Sequence, residues 1–187
     1  MIEMLTTAPT FDHLYNLFPN SPDRSEAVEI PAHEVPEPYH SLLVHTHHMT
    51  ITVEKFYGSP VDVRVLECQQ VGDEYARKIL LSTRDNNHVV QFGLVRINLS
   101  VCPEAVRKEI VEGKTPLGRV LIQNNMLRRI KPGPFLRVSL SAEMAGWFGV
   151  EESTTTYGRL GVIFTGDRPA VEVLEVLAPV SKIDLPR

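Results

Sequence analysis

The feature that most restricts the fold is the way strand-like segments are joined. Residues 61–66, 75–83, 88–98, 126–130, 134–140, 153–165 and 170–177 carry the alternating or continuous apolar residues of extended chain. Only Arg84-Asp85-Asn86-Asn87 separates the second from the third, and only Gly166-Asp167-Arg168-Pro169 separates the last two. Lys131-Pro132-Gly133 marks a further turn. A parallel pair needs a crossover of about a dozen residues or more, so such gaps leave antiparallel hairpins. The expectation is an α+β fold with a single antiparallel β-sheet, without the strand-helix alternation of a parallel one.

Helical signals fall around this sheet. Phe11, Leu14, Tyr15 and Phe18 recur at helical spacing, which predicts a short helix over 10–18. Asn20 to Pro38, holding Pro31 and Pro36, reads as an extended connection. Tyr39 to Val44 and Met49 to Tyr57 read as helical, although Thr50-Ile51-Thr52-Val53 also suits a strand. Pro103, the stripe Val106, Ile110 and Val111, and a closing Gly113 mark a clear helix. Thr115-Pro116 opens another through about Gln123, and Ser141 to Trp147 forms a helical turn. Helices near 100–125 and within the first 57 residues should cover part of one sheet face. A small ligand fits in the space between such layers.

Composition narrows the function classes. A chain of 187 residues corresponds to roughly one domain, 1–187, with a core large enough to need no disulfide staples. The net charge is −4 and no Lys/Arg block occurs, which argues against nucleic acid or an anionic membrane as partner. No apolar run nears the roughly 18 residues of a membrane span, and the N-terminus lacks a basic region followed by an apolar stretch. With two cysteines, Cys68 and Cys102, the chain fits a reducing cytoplasm. Oligomeric state is not legible.

Generic catalytic motifs are missing. Gly113-Lys114-Thr115 resembles the end of a phosphate loop, but Lys108 stands where the upstream glycine belongs. There is no Gly-x-Ser-x-Gly and no Cys-x-x-Cys. His40, His45, His47 and His48 cluster as imidazoles that share a metal do, yet no carboxylate at suitable spacing completes a site. A solvent-facing helix end or hinge explains them equally, and no metal is assigned.

Three features bear on ligand chemistry. A threonine cap at Thr115 with Pro116 in the first helical position would present the amides of Leu117 and Gly118 outward, where they suit a carboxylate, or water. Arg77 shares a strand face with Tyr75, Ile79 and Leu81. It is either an edge residue with a snorkelling stem or a buried cation awaiting an anion. Glu175 shares a face with Val171, Val173 and Leu177. A carboxylate there is expensive unless paired, so it serves either a site or a salt bridge between strands.

Taken together, these segments resemble the chorismate lyase family. Gly113-Lys114-Thr115-Pro116-Leu117-Gly118-Arg119 is the strongest match. His48-Met49-Thr50, the strand Tyr75 to Leu81, and Glu175-Val176-Leu177-Ala178-Pro179 follow in the same order and at similar spacing. The resemblance runs from about residue 45 to 180; residues 1–40 form a poorly matched extension. It implies a chorismate lyase/UTRA-like fold with helical flaps closing over a buried ligand, and elimination of pyruvate from chorismate to give 4-hydroxybenzoate without a cofactor. It implies that Arg77 and the backbone amides of Met49 and Leu117 hold the ring carboxylate and that Glu175 meets the 4-hydroxyl, Arg77 and Glu175 being the catalytic pair. The enolpyruvyl carboxylate is left for Arg96, Lys78 or Arg119, with no basis for choosing.

The same fold serves as an effector-binding domain in some transcription regulators, so a non-catalytic sensor of an aromatic carboxylate is the alternative. The first 60 residues are too short and proline-broken for a convincing helix-turn-helix. A pure interaction domain would leave Arg77 and Glu175 on their apolar faces without a reason.

Overall fold

A computed structural model of the protein describes residue 5, residues 8–126 and residues 129–180. Within them lies one seven-stranded sheet, entirely antiparallel, in the order β1-β5-β6-β7-β4-β3-β2. The strands are β1 (Glu26–Ile30), β2 (Val61–Val71), β3 (Glu74–Thr83), β4 (Val89–Asn98), β5 (Arg129–Ser139), β6 (Thr155–Thr165) and β7 (Arg168–Leu177). The helices are α1 (Phe11–Tyr15), α2 (Tyr39–Leu43), α3 (Met49–Tyr57), α4 (Glu104–Glu112), α5 (Leu117–Gln123) and α6 (Ala142–Phe148).

The α+β antiparallel expectation is met, with three corrections. The Asn20–Pro38 connection contains a strand: β1 pairs with β5 from Glu26↔Ser139 to Ile30↔Phe135. Its EAVEI pattern leaves only Ile30 buried, so the hydrophobic signal of this edge strand is faint. Residues 126–140 do not make two strands around a turn; β5 runs on through Pro132 and Gly133 with a register shift between Pro132 and Phe135. A bulge accepts proline, because the ladder is already interrupted there. The residues between Met126 and Arg129 lie outside the described part. Third, both sheet faces are covered. Tyr15 of α1 and Met144 and Phe148 of α6 pack with Leu80, Phe92 and Leu174 on one face. Helices α2 to α5 cover the other through Leu43, Val53, Ile110 and Leu121.

The second face carries the site. Register alignment arranges it in rows across β3, β4 and β7: Arg77–Val95–Val173, then Ile79–Gly93–Glu175, then Leu81–Gln91–Leu177. Arg159 of β6 extends the middle row beside Glu175. Lys78, Arg96 and Glu172 belong to the opposite face, because side chains alternate along each strand.

Candidate functional site

Met49, Arg77, Leu117 and Glu175, the four positions singled out from the sequence, line one cleft between this sheet face and the helices. Its empty space is about 520 Å³, open mouth included. Arg77 and Glu175 lie two strands and one row apart, which standard sheet spacings translate to about 12 Å between their Cα atoms.

Arg77 is the most unusual group in it. Only 1% of the residue is exposed. Among the described residues no carboxylate forms an ion pair with it, and its Nε has no hydrogen-bond partner. One terminal nitrogen donates to the carbonyl of Ile110 at 3.1 Å. That carbonyl belongs to the last turn of α4, so the negative end of the helix dipole meets the cation. Gly113 ends α4 in the left-handed conformation, φ 68°. A Cβ there would stand 2.9 Å from Val65 Cγ2, so a larger residue would push α4 off β2. Burial lowers the Arg77 pKa, while the neighbouring Tyr75 and Cys68 act in the opposite sense. Buried guanidinium groups keep their charge, so this one stands ready for an anion.

Helices α3 and α5 bring their N-termini to the same cleft. The cap residue of α5 is Pro116 and not Thr115, so the helix opens one residue later than the sequence suggested, and no side chain caps it. His48 precedes α3 and makes no capping hydrogen bond either. Uncapped N-terminal amides of this kind favour an anion. The two helices touch at Gly118, where a Cβ would come 2.8 Å from Thr50 Oγ1. Glu54 of α3 ties them further through an ion pair with Arg119 of α5, and anchors α3 to β2 by accepting the Val61 amide at 2.9 Å.

Glu175 is paired. Arg159 Nε donates to its Oε2 at 2.7 Å, across the β6–β7 register. The same guanidinium donates to the backbone carbonyls of Leu43 (2.8 Å), His45 (3.0 Å) and His47 (3.3 Å). Arg159 therefore moors the loop between α2 and α3 to the carboxylate in the cleft. Sequence reasoning missed it, although an arginine in the apolar run Gly158 to Phe164 is the same kind of signal as Arg77. Gln91 was also missed; it lies on the cleft lining beside Gly93.

The three cations left open for a second carboxylate go elsewhere. Lys78 binds Asp23 at 2.8 Å, and Arg96 binds Glu74 and Glu172, all on the far face. Arg119 is held by Glu54. His45 and His47 meet, with ring centroids 5.3 Å apart, while the others point to different partners. His45 contacts the Leu42 carbonyl, His40 lies 3.6 Å from Glu37, and His48 lines the cleft. Among the described residues no group of three His, Cys, Asp or Glu could hold a metal. No helix among them is long and apolar enough to cross a membrane.

No known family model matches the chain, and no curated protein does. Solved structures do. The crystal structure of PhnF from Mycobacterium smegmatis superposes with a TM-score of 0.56 at 12% identity, over 72% of this chain and 65% of that one. The effector domain of PhnF alone gives the same score and identity, over 71% of this chain and 88% of the domain. A "possible transcriptional regulator YydK" from Bacillus subtilis gives 0.50 at 12% identity, over 67% of this chain and 60% of that one. The chain thus spans about two thirds of full-length PhnF. At such identities the likeness establishes the fold alone. That fold is the chorismate lyase/UTRA-like one expected from the resemblance, here shared with a regulator effector domain.

Proposed function

We propose that this cleft binds a small ring carboxylate, with Arg77 and the N-terminal amides of α3 and α5 receiving the carboxylate and Glu175 facing the far end of the ring. The observation that carries this reading is the buried, unpaired Arg77. An uncompensated buried cation is a large cost that a ligand anion removes. Binding without turnover is the role that the likeness to the PhnF effector domain supports.

A specific observation favours a second, catalytic reading. Pro116, Leu117 and Gly118 of the Gly113–Arg119 stretch, and Glu175, on which the resemblance to chorismate lyase rests, line the same cleft as Arg77. In that reaction the ring C3–oxygen bond of chorismate breaks and the enolpyruvyl group leaves as enolpyruvate, which gains one proton in balance with the one lost from C4 and becomes pyruvate. The C4 proton departs and the ring becomes aromatic. The protein would hold the ring, stabilise charge on the departing oxygen and manage one proton. In this reading Glu175, through the 4-hydroxyl or as acid/base, would take the last task, unless the proton moves within the substrate.

One experiment separates the readings. The purified chain is incubated with chorismate while 4-hydroxybenzoate and pyruvate are followed, and 4-hydroxybenzoate is titrated by calorimetry. Equal release of both products supports the lyase. Saturable 4-hydroxybenzoate binding without turnover supports the sensor. If neither occurs, and Arg77→Met behaves as the parent, the cleft is not a carboxylate site.

A further inference from the structure

Among the described residues, three buried side-chain atoms lack any hydrogen-bond partner: Asp23 Oδ2, Arg77 Nε and Gln91 Oε1. Asp23 belongs to the opposite face, where it pairs with Lys78. The other two residues both line the cleft. Arg77 has a use in the reading above; Gln91 has none yet.

Gln91 is only 4% exposed. Its strand neighbours on the cleft face are Leu81 and Leu177, neither of which can accept or donate through its side chain. Gly93, the next residue of β4 on that face, has no side chain to offer. The cross-strand neighbours therefore leave the Oε1 acceptor unmatched, and buried polar atoms without a partner are rare in native proteins. The register also gives its position. Gln91 is the diagonal neighbour of Glu175, about 7–8 Å away by ordinary sheet geometry. Both stand in rows beyond the Arg77 row, with Gly93 between, where the Ile79 side chain lies 3.2 Å from the position a Cβ would take.

We propose that Gln91 determines specificity by reading a second polar substituent on the ligand, adjacent to the one that Glu175 meets. This rests on the cleft being a ring-carboxylate site. Glu175, already held by Arg159, offers the ligand an acceptor, and one hydroxyl has a single proton to give. A lone hydroxyl directed at Glu175 leaves Gln91 Oε1 unsatisfied. A ring acid carrying two neighbouring donors at the end remote from its carboxylate satisfies both. The ligand class is therefore a ring carboxylate with vicinal hydroxyl or amino groups.

The test is a calorimetric titration of the full chain with benzoate, 4-hydroxybenzoate and 3,4-dihydroxybenzoate. The parent should bind the dihydroxy acid about tenfold more tightly than the monohydroxy acid, the preference one added hydrogen bond to a buried group produces. Gln91→Leu, and Gln91→Met as a second apolar variant, should bring that ratio to about one while leaving 4-hydroxybenzoate affinity within about twofold. Both variants should melt no lower than the parent, since an unsatisfied amide is removed from an apolar setting. Equal weakening of both hydroxy acids, or a ratio that survives both substitutions, overturns the role of Gln91 while leaving the cleft reading intact. Failure of all three acids to bind overturns the cleft reading and this inference with it.

Discussion

Arg159 holds Glu175 with a 2.7 Å hydrogen bond and, with the rest of its guanidinium, gathers three carbonyls of the loop from Leu43 to His47. One side chain thus links the cleft carboxylate to a covering loop. Side-chain exposure is 3% for Arg159 and 14% for Glu175, so solvent screening is weak. Arg159→Met should destabilise the chain by about 3–5 kcal/mol, the usual cost of stranding one partner of a buried pair. Urea denaturation measures it. Arg159→Met combined with Glu175→Leu should recover most of the loss, and a double variant as unstable as the single one would mean that the loop contacts, not the pair, carry the energy.

Adjacent cations on β3 should respond in opposite ways. Lys78 is 3% exposed and pairs with the equally buried Asp23, so Lys78→Met should cost about 3–5 kcal/mol and leave ligand affinity unchanged. Arg77 has no carboxylate to strand. Arg77→Met should cost no more than about 1.5–3 kcal/mol, the worth of a hydrogen bond from a charged group to the Ile110 carbonyl, while weakening a ring carboxylate by about 2–5 kcal/mol. Thermal melts and calorimetry on both variants check the contrast. An Arg77 variant as unstable as the Lys78 variant would make Arg77 a structural residue.

Gly118 lets the N-termini of α3 and α5 meet. Gly118→Ala would place a methyl 2.8 Å from Thr50 Oγ1 and 3.2 Å from its Cβ. Overpacking of this kind costs about 1–3 kcal/mol. Thr50→Ala removes the nearer atom, so the double variant should regain part of that loss. Independent, additive losses in the cycle would show that the two residues do not press on each other.

Acid should loosen the loop side of the cleft. His45 and His48 both have pKa values lowered from 6.5, first by burial, with Arg159 also repelling the imidazolium and Glu175 opposing the shift. Between the lowered folded values and 6.5 the unfolded chain binds more protons, so stability rises with pH across that window. The contribution is complete above about pH 6.5 and is lost as pH falls through the folded values. Urea midpoints from pH 8 to 5 should decline, and His48→Asn should flatten part of the decline. A decline of the same size in the variant would assign it to other groups.

The cleft was partly legible in the sequence because strand periodicity assigns each side chain a face. Arg77 and Glu175 stood out as charges in apolar rows. Arg159 and Gln91 stand in rows of the same kind, but neither lies in a motif that drew notice. The choice between site and salt bridge for Glu175 needed the β6–β7 register, which pairs it with Arg159. The role of Lys78, Arg96 and Arg119 was likewise closed to sequence, since a cation's partner is set by contacts far along the chain.

The edge strand β1 and the continuous β5 show the same division. Glu26 to Ile30 has almost no apolar face of its own and becomes a strand only because β5 offers it a ladder. Pro132 and Gly133 read locally as a turn, and the pairing with β6 on either side keeps them in one strand. Period-two patterning and short turn clusters determined, within the sequence alone, that the chain makes an antiparallel sheet and which face each side chain takes, because both are local properties of the backbone. Which strands are neighbours, and therefore that Arg77 is left without a carboxylate while Glu175 receives Arg159, was decided only by tertiary structure, because hydrogen-bonded register brings together residues that no local rule connects.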